Sequence, residues 1–250
     1  MLLAAGVFGG ALAGLVGGAS LITFPVLLAA GLPPIIATAS NQAAILPANI
    51  IAGFADRSLM PPFDRALIGL IVVAVLGTVA GSALLLLTPE RTFEALVPVL
   101  LGFATLLFAF SSRVSAWLRS RARLRGRAES ELSVTSLPIL LPISIYGGYF
   151  GAGVGVMILA VLAVTTGGDY RTANAAKNLI SGITTAATAL YFSVSGVISW
   201  PQTLVMMVGA CIGGLLGGQL VRIASREVMQ VVVVAIGAAL TVAYAWRYWF

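Results

Sequence analysis

Eight apolar stretches fill nearly all 250 residues of this chain, six uninterrupted and two longer ones broken by glycine. Each is near or above the about 20 residues that an α-helix needs to cross a hydrocarbon core about 30 Å thick. Only 9% of the residues are charged and the mean hydropathy is +1.06, where soluble domains carry roughly 25% charge. Lipid replaces water as the main solvent. With no water to satisfy backbone groups, the fold class that follows is an all-α polytopic membrane protein, because helices satisfy their own N–H and C=O groups.

The same composition removes several function classes. There is no histidine and a single cysteine, Cys211, so the usual zinc and haem ligands are missing and no cofactor or metal site is expected. A Ser-His-Asp or Cys-His relay is excluded for the same reason, and the chain does not read as an enzyme. The net charge of +6 is local. Arg113, Arg119, Arg121, Arg123, Arg125 and Arg127 concentrate it in one connecting segment, which the positive-inside rule places in the cytoplasm; topology accounts for these charges without nucleic acid. Met1 to Gly10 has no basic residue and therefore lacks the charged start of a cleavable signal peptide, so it is read as mature sequence.

The chain repeats itself. Gly14-Leu15-Val16-Gly17-Gly18-Ala19-Ser20 resembles Gly148-Tyr149-Phe150-Gly151-Ala152-Gly153-Val154-Gly155, about 134 positions later. Ala37-Thr38-Ala39-Ser40-Asn41-Gln42 falls on Ala173-Asn174-Ala175-Ala176-Lys177-Asn178 at an offset of 136, and Gly77 and Gly81 fall on Gly213 and Gly217 at the same offset. Order and offset are kept along the whole length. We therefore expect membrane repeat 1 over 1–111, an Arg-rich cytoplasmic linker over 112–134 and membrane repeat 2 over 135–250, with four segments in each repeat. Ordinary spans are expected near 35–55, 66–87 and 92–110, with counterparts near 171–192, 201–221 and 228–246. Glycines spaced by four, such as Gly77 with Gly81, suit close helix packing in lipid, and all four tryptophans fall at expected span ends, as an interfacial belt requires.

The first segment of each repeat, 1–32 and 135–168, is too long for one span and too short for two. It is either one tilted, broken span or a re-entrant hairpin of two short helices. The hairpin gives each repeat an odd number of crossings and inverts one repeat relative to the other. Leaving Lys177 aside, single spans put nine arginines inside and four outside, whereas hairpins put eleven inside and leave only Arg91 and Arg247 outside. The count favours inverted repeats with broken helices, an architecture of many secondary transporters.

Lys177 is the only lysine, about six residues and hence about 10 Å into an apolar span. A cation in hydrocarbon costs at least about 2.5–3.5 kcal/mol and is either compensated or useful. The eight acidic residues read as loop or span-end positions, so no carboxylate is expected as its partner and no intramembrane proton carrier is expected. Lys177 either snorkels to the interface or sits there as a neutral amine, or it binds an anion, and the surroundings favour the anion. Asn174 and Asn178, with Thr38, Ser40, Asn41 and Gln42 expected at matching depth on the equivalent helix, add neutral donors. The breaks at Gly17, Gly18 and Ser20 and at Gly151 and Gly153 would present backbone N–H groups and helix N-termini to a negative ligand.

Here the sequence resembles the TauE/SafE sulfite exporter family, over nearly the whole chain. The resemblance lies in the glycine cluster that runs through an apolar stretch to a proline, Gly14 to Pro25, followed by Ala37-Thr38-Ala39-Ser40, both echoed in the second half; the usual triple glycine is degraded to Gly-Gly-Ala-Ser here. What the resemblance implies is transport of sulfur-containing anions such as sulfite or sulfonates across the bacterial inner membrane. The small anionic substrate agrees with Lys177, which the residues single out without the family. An anion channel and a non-transporting membrane scaffold are the other readings, separated by saturable counterflow and by the absence of flux.

The arginine count predicts that both termini lie outside the cytoplasm. A reporter fused after Phe250 tests this; cytoplasmic activity there would mean eight single spans and no inversion.

Overall fold

The computed structural model describes residues 1–15, 17–124, 137–165, 170–223 and 226–249. Their order is α1 (Leu2–Leu15), α2 (Ser20–Ala29), α3 (Pro34–Ala55), a 3₁₀ turn (Arg57–Leu59), α4 (Arg65–Leu87), α5 (Glu90–Leu124), α6 (Leu137–Tyr149), α7 (Val154–Thr165), α8 (Tyr170–Val194), α9 (Trp200–Ile223) and α10 (Arg226–Trp249). No strand occurs among the described residues. Helix ends follow local chemistry. Pro34 opens α3, where a missing N–H costs nothing, and the Asp64 carboxylate caps α4 by accepting from the Leu67 N–H at 2.8 Å.

Each of the six ordinary spans expected from hydropathy is a helix. Five helical stretches are long and apolar enough to cross a membrane: Pro34–Ala55, Arg65–Leu87, Glu90–Ser111, Trp200–Gly217 and Gln230–Trp249. The 25 residues of α8 are long enough too, but Arg171, Asn174, Lys177 and Asn178 crowd polarity into its first third. One boundary differs from expectation. Helix α5 runs on through the first half of the linker to Leu124, 35 residues in all or about 52 Å, so its arginine-bearing end projects beyond the hydrocarbon core. The rest of the linker, with Arg125, Arg127, Glu129 and Glu131, lies outside the described residues, as does Asp169.

Glycine breaks both first segments into two short helices. The halves fold back on each other: a Cβ on Gly9 of α1 would strike Thr23 of α2 at 2.5 Å, and one on Gly147 of α6 would meet Val154 of α7 at 2.9 Å. In a continuous helix residues 9 and 23 would stand about 21 Å apart. The turns need left-handed backbone at Gly17 (φ 74°), Gly151 (φ 82°) and Gly153 (φ 79°), which a side chain would strain. Aromatic rings brace the breaks. Phe150 packs edge-on against Phe24 at 5.1 Å, and the Phe108 ring fills the space beside Gly18.

Packing without a hydrophobic drive between helices depends on close approach of small residues, and the contacts fix helix directions. Gly213 meets Val7 and Gly209 meets Leu3, so α1 and α9 run parallel; Gly77 meets Leu141 and Gly81 meets Ile145, so α4 and α6 do likewise. By contrast Gly53 lies opposite Asn178 and Gly182 opposite Asn49, so α3 and α8 cross antiparallel. At that crossing the Asn49 side-chain amide donates to Thr185 Oγ1 at 3.0 Å. Helices α5 and α10 are antiparallel as well, with Gly102 beside Thr241, Gly237 beside Thr105 and the Gln230 amide donating to the Phe108 and Ala109 carbonyls at 3.0 and 2.9 Å. Large apolar side chains point outward, among them Leu76, Leu87, Leu215 and Val242, as lipid contact requires. Trp200, Trp246 and Trp249 are exposed near helix ends.

The tightest helix contacts predict a graded cost of adding one methyl. A Cβ on Gly81 would land on the Ile145 carbonyl of α6, whereas one on Gly217 would sit 3.3 Å from the nearest atom, the Ala11 carbonyl oxygen. Gly81→Ala should therefore lose about 1–3 kcal/mol more than Gly217→Ala, read as a lower midpoint of thermal unfolding in detergent.

Candidate functional site

A helix that ends inside a membrane leaves its last carbonyls without partners. The C-terminal ends of α1 and α6 pose this problem, and the polar residues of α8 and α3 answer it. Lys177 Nζ donates to the carbonyl oxygens of Gly14 at 3.3 Å and Ala13 at 3.5 Å. The Asn178 and Asn174 amides donate to the same Gly14 oxygen at 3.3 and 3.4 Å. On the other side Gln42 Nε2 donates to the Gly147 oxygen at 2.8 Å. Each polar helix thus caps the broken helix of the opposite half of the chain. Lys177, only 1% exposed, faces the negative pole of α1, an arrangement that favours a cation by about 0.3–2 kcal/mol.

The Lys177 cluster has an acidic member that the sequence did not reveal. Asp56, the residue that caps the end of α3, accepts from Asn178 Nδ2 at 2.7 Å and from Asn174 Nδ2 at 3.1 Å through Oδ2. No carboxylate was expected as a partner of Lys177; Asp56 lies beyond the helix, as its position implies, and the end of α3 delivers it to the two α8 amides beside the lysine. Asp56, Asn174 and Asn178 line a cavity of about 180 Å³ whose remaining wall is glycine and alanine from α1, α3 and α9. Small residues make the room and amides supply the polarity.

The second group of sequence-selected residues forms a separate cluster. The Asn41 amide donates to Ser20 Oγ at 3.0 Å, Thr23 Oγ1 donates to Asn41 Oδ1, and Gln42 packs against Gly151; Asn41 is fully buried. The expected matching depth of Asn41 and Lys177 does not hold. Because α3 and α8 are antiparallel, Asn178 stands opposite Gly53, 12 residues and about 18 Å along α3 from Asn41. Thr38 bonds back to the Pro34 carbonyl at 2.9 Å, and Ser40 Oγ accepts from the Ser199 N–H at 3.0 Å, so both have local partners. Gly153 faces Ala104 at 3.4 Å.

Between the clusters the two breaks touch. A Cβ on Gly17 would lie 2.6 Å from the Gly155 Cα, and one on Gly155 would lie 2.7 Å from the Gly17 Cα, so the backbones approach as only glycine permits. Chemically, the Lys177 cluster offers three donors converging on one carbonyl oxygen that has two lone pairs. Asp56 takes up the second N–H of each amide. Amides that hold one carboxylate in this way also suit another anion. Among the described residues no group of three or more acidic or cysteine side chains could hold a metal ion.

Comparison with known proteins accounts for nearly the whole chain. Residues 2–244 match a family model described as Sulfite exporter TauE/SafE. A probable membrane transporter protein, YfcA, of Escherichia coli (strain K12) is 23% identical over 231 residues, which cover 90% of this chain and 81% of the relative. A probable membrane transporter protein of Haemophilus influenzae is 24% identical over 227 residues, 90% of this chain and 86% of the relative. No solved structure matches.

If the carbonyl at the end of α6 depends on Gln42, Gln42→Leu leaves it without that donor in a dry interior. The expected loss is about 1–3 kcal/mol, seen as a lower unfolding midpoint in detergent. An unchanged midpoint would mean that another donor replaces it.

Proposed function

The chain belongs to the TauE/SafE sulfite exporter family of membrane transporters, and from its buried donor cluster we propose that it moves a small sulfur-containing anion, of the sulfite or organosulfonate type, across the bacterial inner membrane by alternating access, with export as its direction. The observation that carries this reading is Lys177: the only lysine of the chain, buried in a helix, and sharing the Gly14 carbonyl with two amides that line a cavity walled by small residues.

We read the architecture as two inverted repeats, 1–111 and 135–250, joined by the linker 112–134. Several contacts support the inversion. The helices equivalent at the 136-residue offset, α3 with α8 and α5 with α10, run antiparallel where they meet. Asn49 and Thr185, bonded to each other, are themselves 136 residues apart. Partners are exchanged as well, since α1 packs on α9 while its counterpart α6 packs on α4. Rocking one such unit against the other would open the Lys177 cluster to one face and the Asn41 cluster to the other, with the contact between Gly17 and Gly155 as the barrier between them. Substrate residues in this reading are Lys177, Asn174 and Asn178 on one side and Asn41, Gln42 and Ser20 on the other.

Lys177→Met removes a charge-assisted bond worth about 1.5–3 kcal/mol, so anion counterflow in liposomes should fall about 10- to 100-fold while the protein still inserts and elutes as a folded species. Lys177→Arg should also be impaired, since a planar fork does not replace a compact ammonium. Normal counterflow by Lys177→Met would reduce the lysine to a helix cap and sink the reading.

A further inference from the structure

We infer that Asp56 is a proton carrier that competes with the transported anion, so that each anion binds together with a proton. The inference rests on the anion-transport reading above and adds its coupling. Two observations carry it. First, Asp56 Oδ2 accepts from both Asn178 and Asn174, the amides that stand with Lys177 around the Gly14 carbonyl. The carboxylate therefore holds, as a tethered anion, donors that a substrate anion needs, and the two cannot share them at full negative charge.

Second, the protonated form of Asp56 has an acceptor waiting. Asn174 Oδ1 is the one buried side-chain nitrogen or oxygen among the described residues with no hydrogen-bond partner. Its orientation is fixed, because Asn174 Nδ2 already donates to two acceptors, Gly14 O and Asp56 Oδ2, and a flipped amide would set oxygen against oxygen. An acid and an amide joined by one N–H···O bond can close a second, from the carboxyl O–H to the amide oxygen. Protonation would thus satisfy Asn174 Oδ1, cancel the competing charge and loosen the hold on Asn178, freeing its N–H for the anion.

Helix α8 brings Lys177 to the same cluster and carries Tyr170 and Arg171 one turn before Asn174; Arg57 follows Asp56 in the chain. The cavity walls from α1 and α9 are glycine and alanine, Gly10, Ala11, Gly14, Gly214 and Gly217, with nothing to titrate. Proton uptake is driven in this scheme by the arriving anion, which competes with the carboxylate for the same amides.

The probe is methanesulfonate, which stays ionised throughout the working range, with sulfite and sulfate beside it. Binding to the purified full chain is measured by calorimetry in two buffers of different ionisation enthalpy. In the unaltered protein about one proton should be taken up per anion, and the affinity should fall about tenfold per pH unit on the alkaline side of the carboxyl titration. Asp56→Asn should bind with no proton uptake and little pH dependence. The inference is overturned if the unaltered protein binds methanesulfonate without proton uptake, if Asp56→Asn retains that uptake, or if binding requires sodium, which would make Asn174 Oδ1 part of a cation site. The buffer comparison needs no variant, so misfolding of Asp56→Asn cannot shield the inference. Absence of binding by all three anions is a different result: it removes the sulfur-anion reading and the coupling with it.

Discussion

Breaking a helix inside a membrane creates an obligation that the rest of this structure meets. A carbonyl exposed at the end of α1 or α6 cannot turn to water, and an unsatisfied polar group there costs several kcal/mol. The donors come from α8 for Gly14 and from α3 for Gly147. Once those bonds are made, the two polar helices must lie against the broken ones, the glycines at 17, 151 and 153 must take left-handed backbone, and the long helices must leave space through small residues. The buried polar residues of α3 and α8 are therefore structural before they are functional. Function has to be sought in what the structural bonds leave over.

For Lys177 the remainder can be weighed. Placing an ammonium within hydrocarbon costs at least about 2.5–3.5 kcal/mol, and a helix pole returns about 0.3–2 kcal/mol. A neutral Gln42 performs the equivalent capping service for α6 at 2.8 Å. A cap did not require a charge here. In the proposed reading the charge serves the transported anion, beside amides that already hold the Asp56 carboxylate.

Much of the fold was legible because lipid enforces a simple grammar. Length and hydropathy located the six ordinary helices, and the Gly-rich runs located the two breaks. The site was legible in its residue types and not in its geometry. Asn41 and Lys177 share a position in the repeated pattern, but the direction of α8 relative to α3 is set by tertiary contacts such as Gly53 with Asn178, and reversing it separates the two residues by a dozen positions. Asp56 was passed over because the residue after a helix reads as loop. Nothing local marks that the end of α3 meets the start of α8. The pair Asn49 and Thr185 was the one available signal, two polar residues at the repeat offset.

The departures from symmetry carry the direction of transport in the proposed reading. At equivalent positions one half places Lys177 and the other Asn41, and only the Lys177 cluster adjoins the cavity with Asp56. In that reading the face is cytoplasmic, as the arginine count proposes. A charged, proton-linked cluster on the cytoplasmic side would gather an anion against the inside-negative potential's outward push, while the neutral Asn41 and Gln42 cluster would hold it weakly enough to release it outside. An anion leaving alone gains about 2.3 kcal/mol per 100 mV; one leaving with a proton forfeits that gain and follows the combined gradients of anion and proton instead. In the proposed scheme the position of a single carboxylate thus decides whether membrane voltage or the chemical gradients set the direction of net flux.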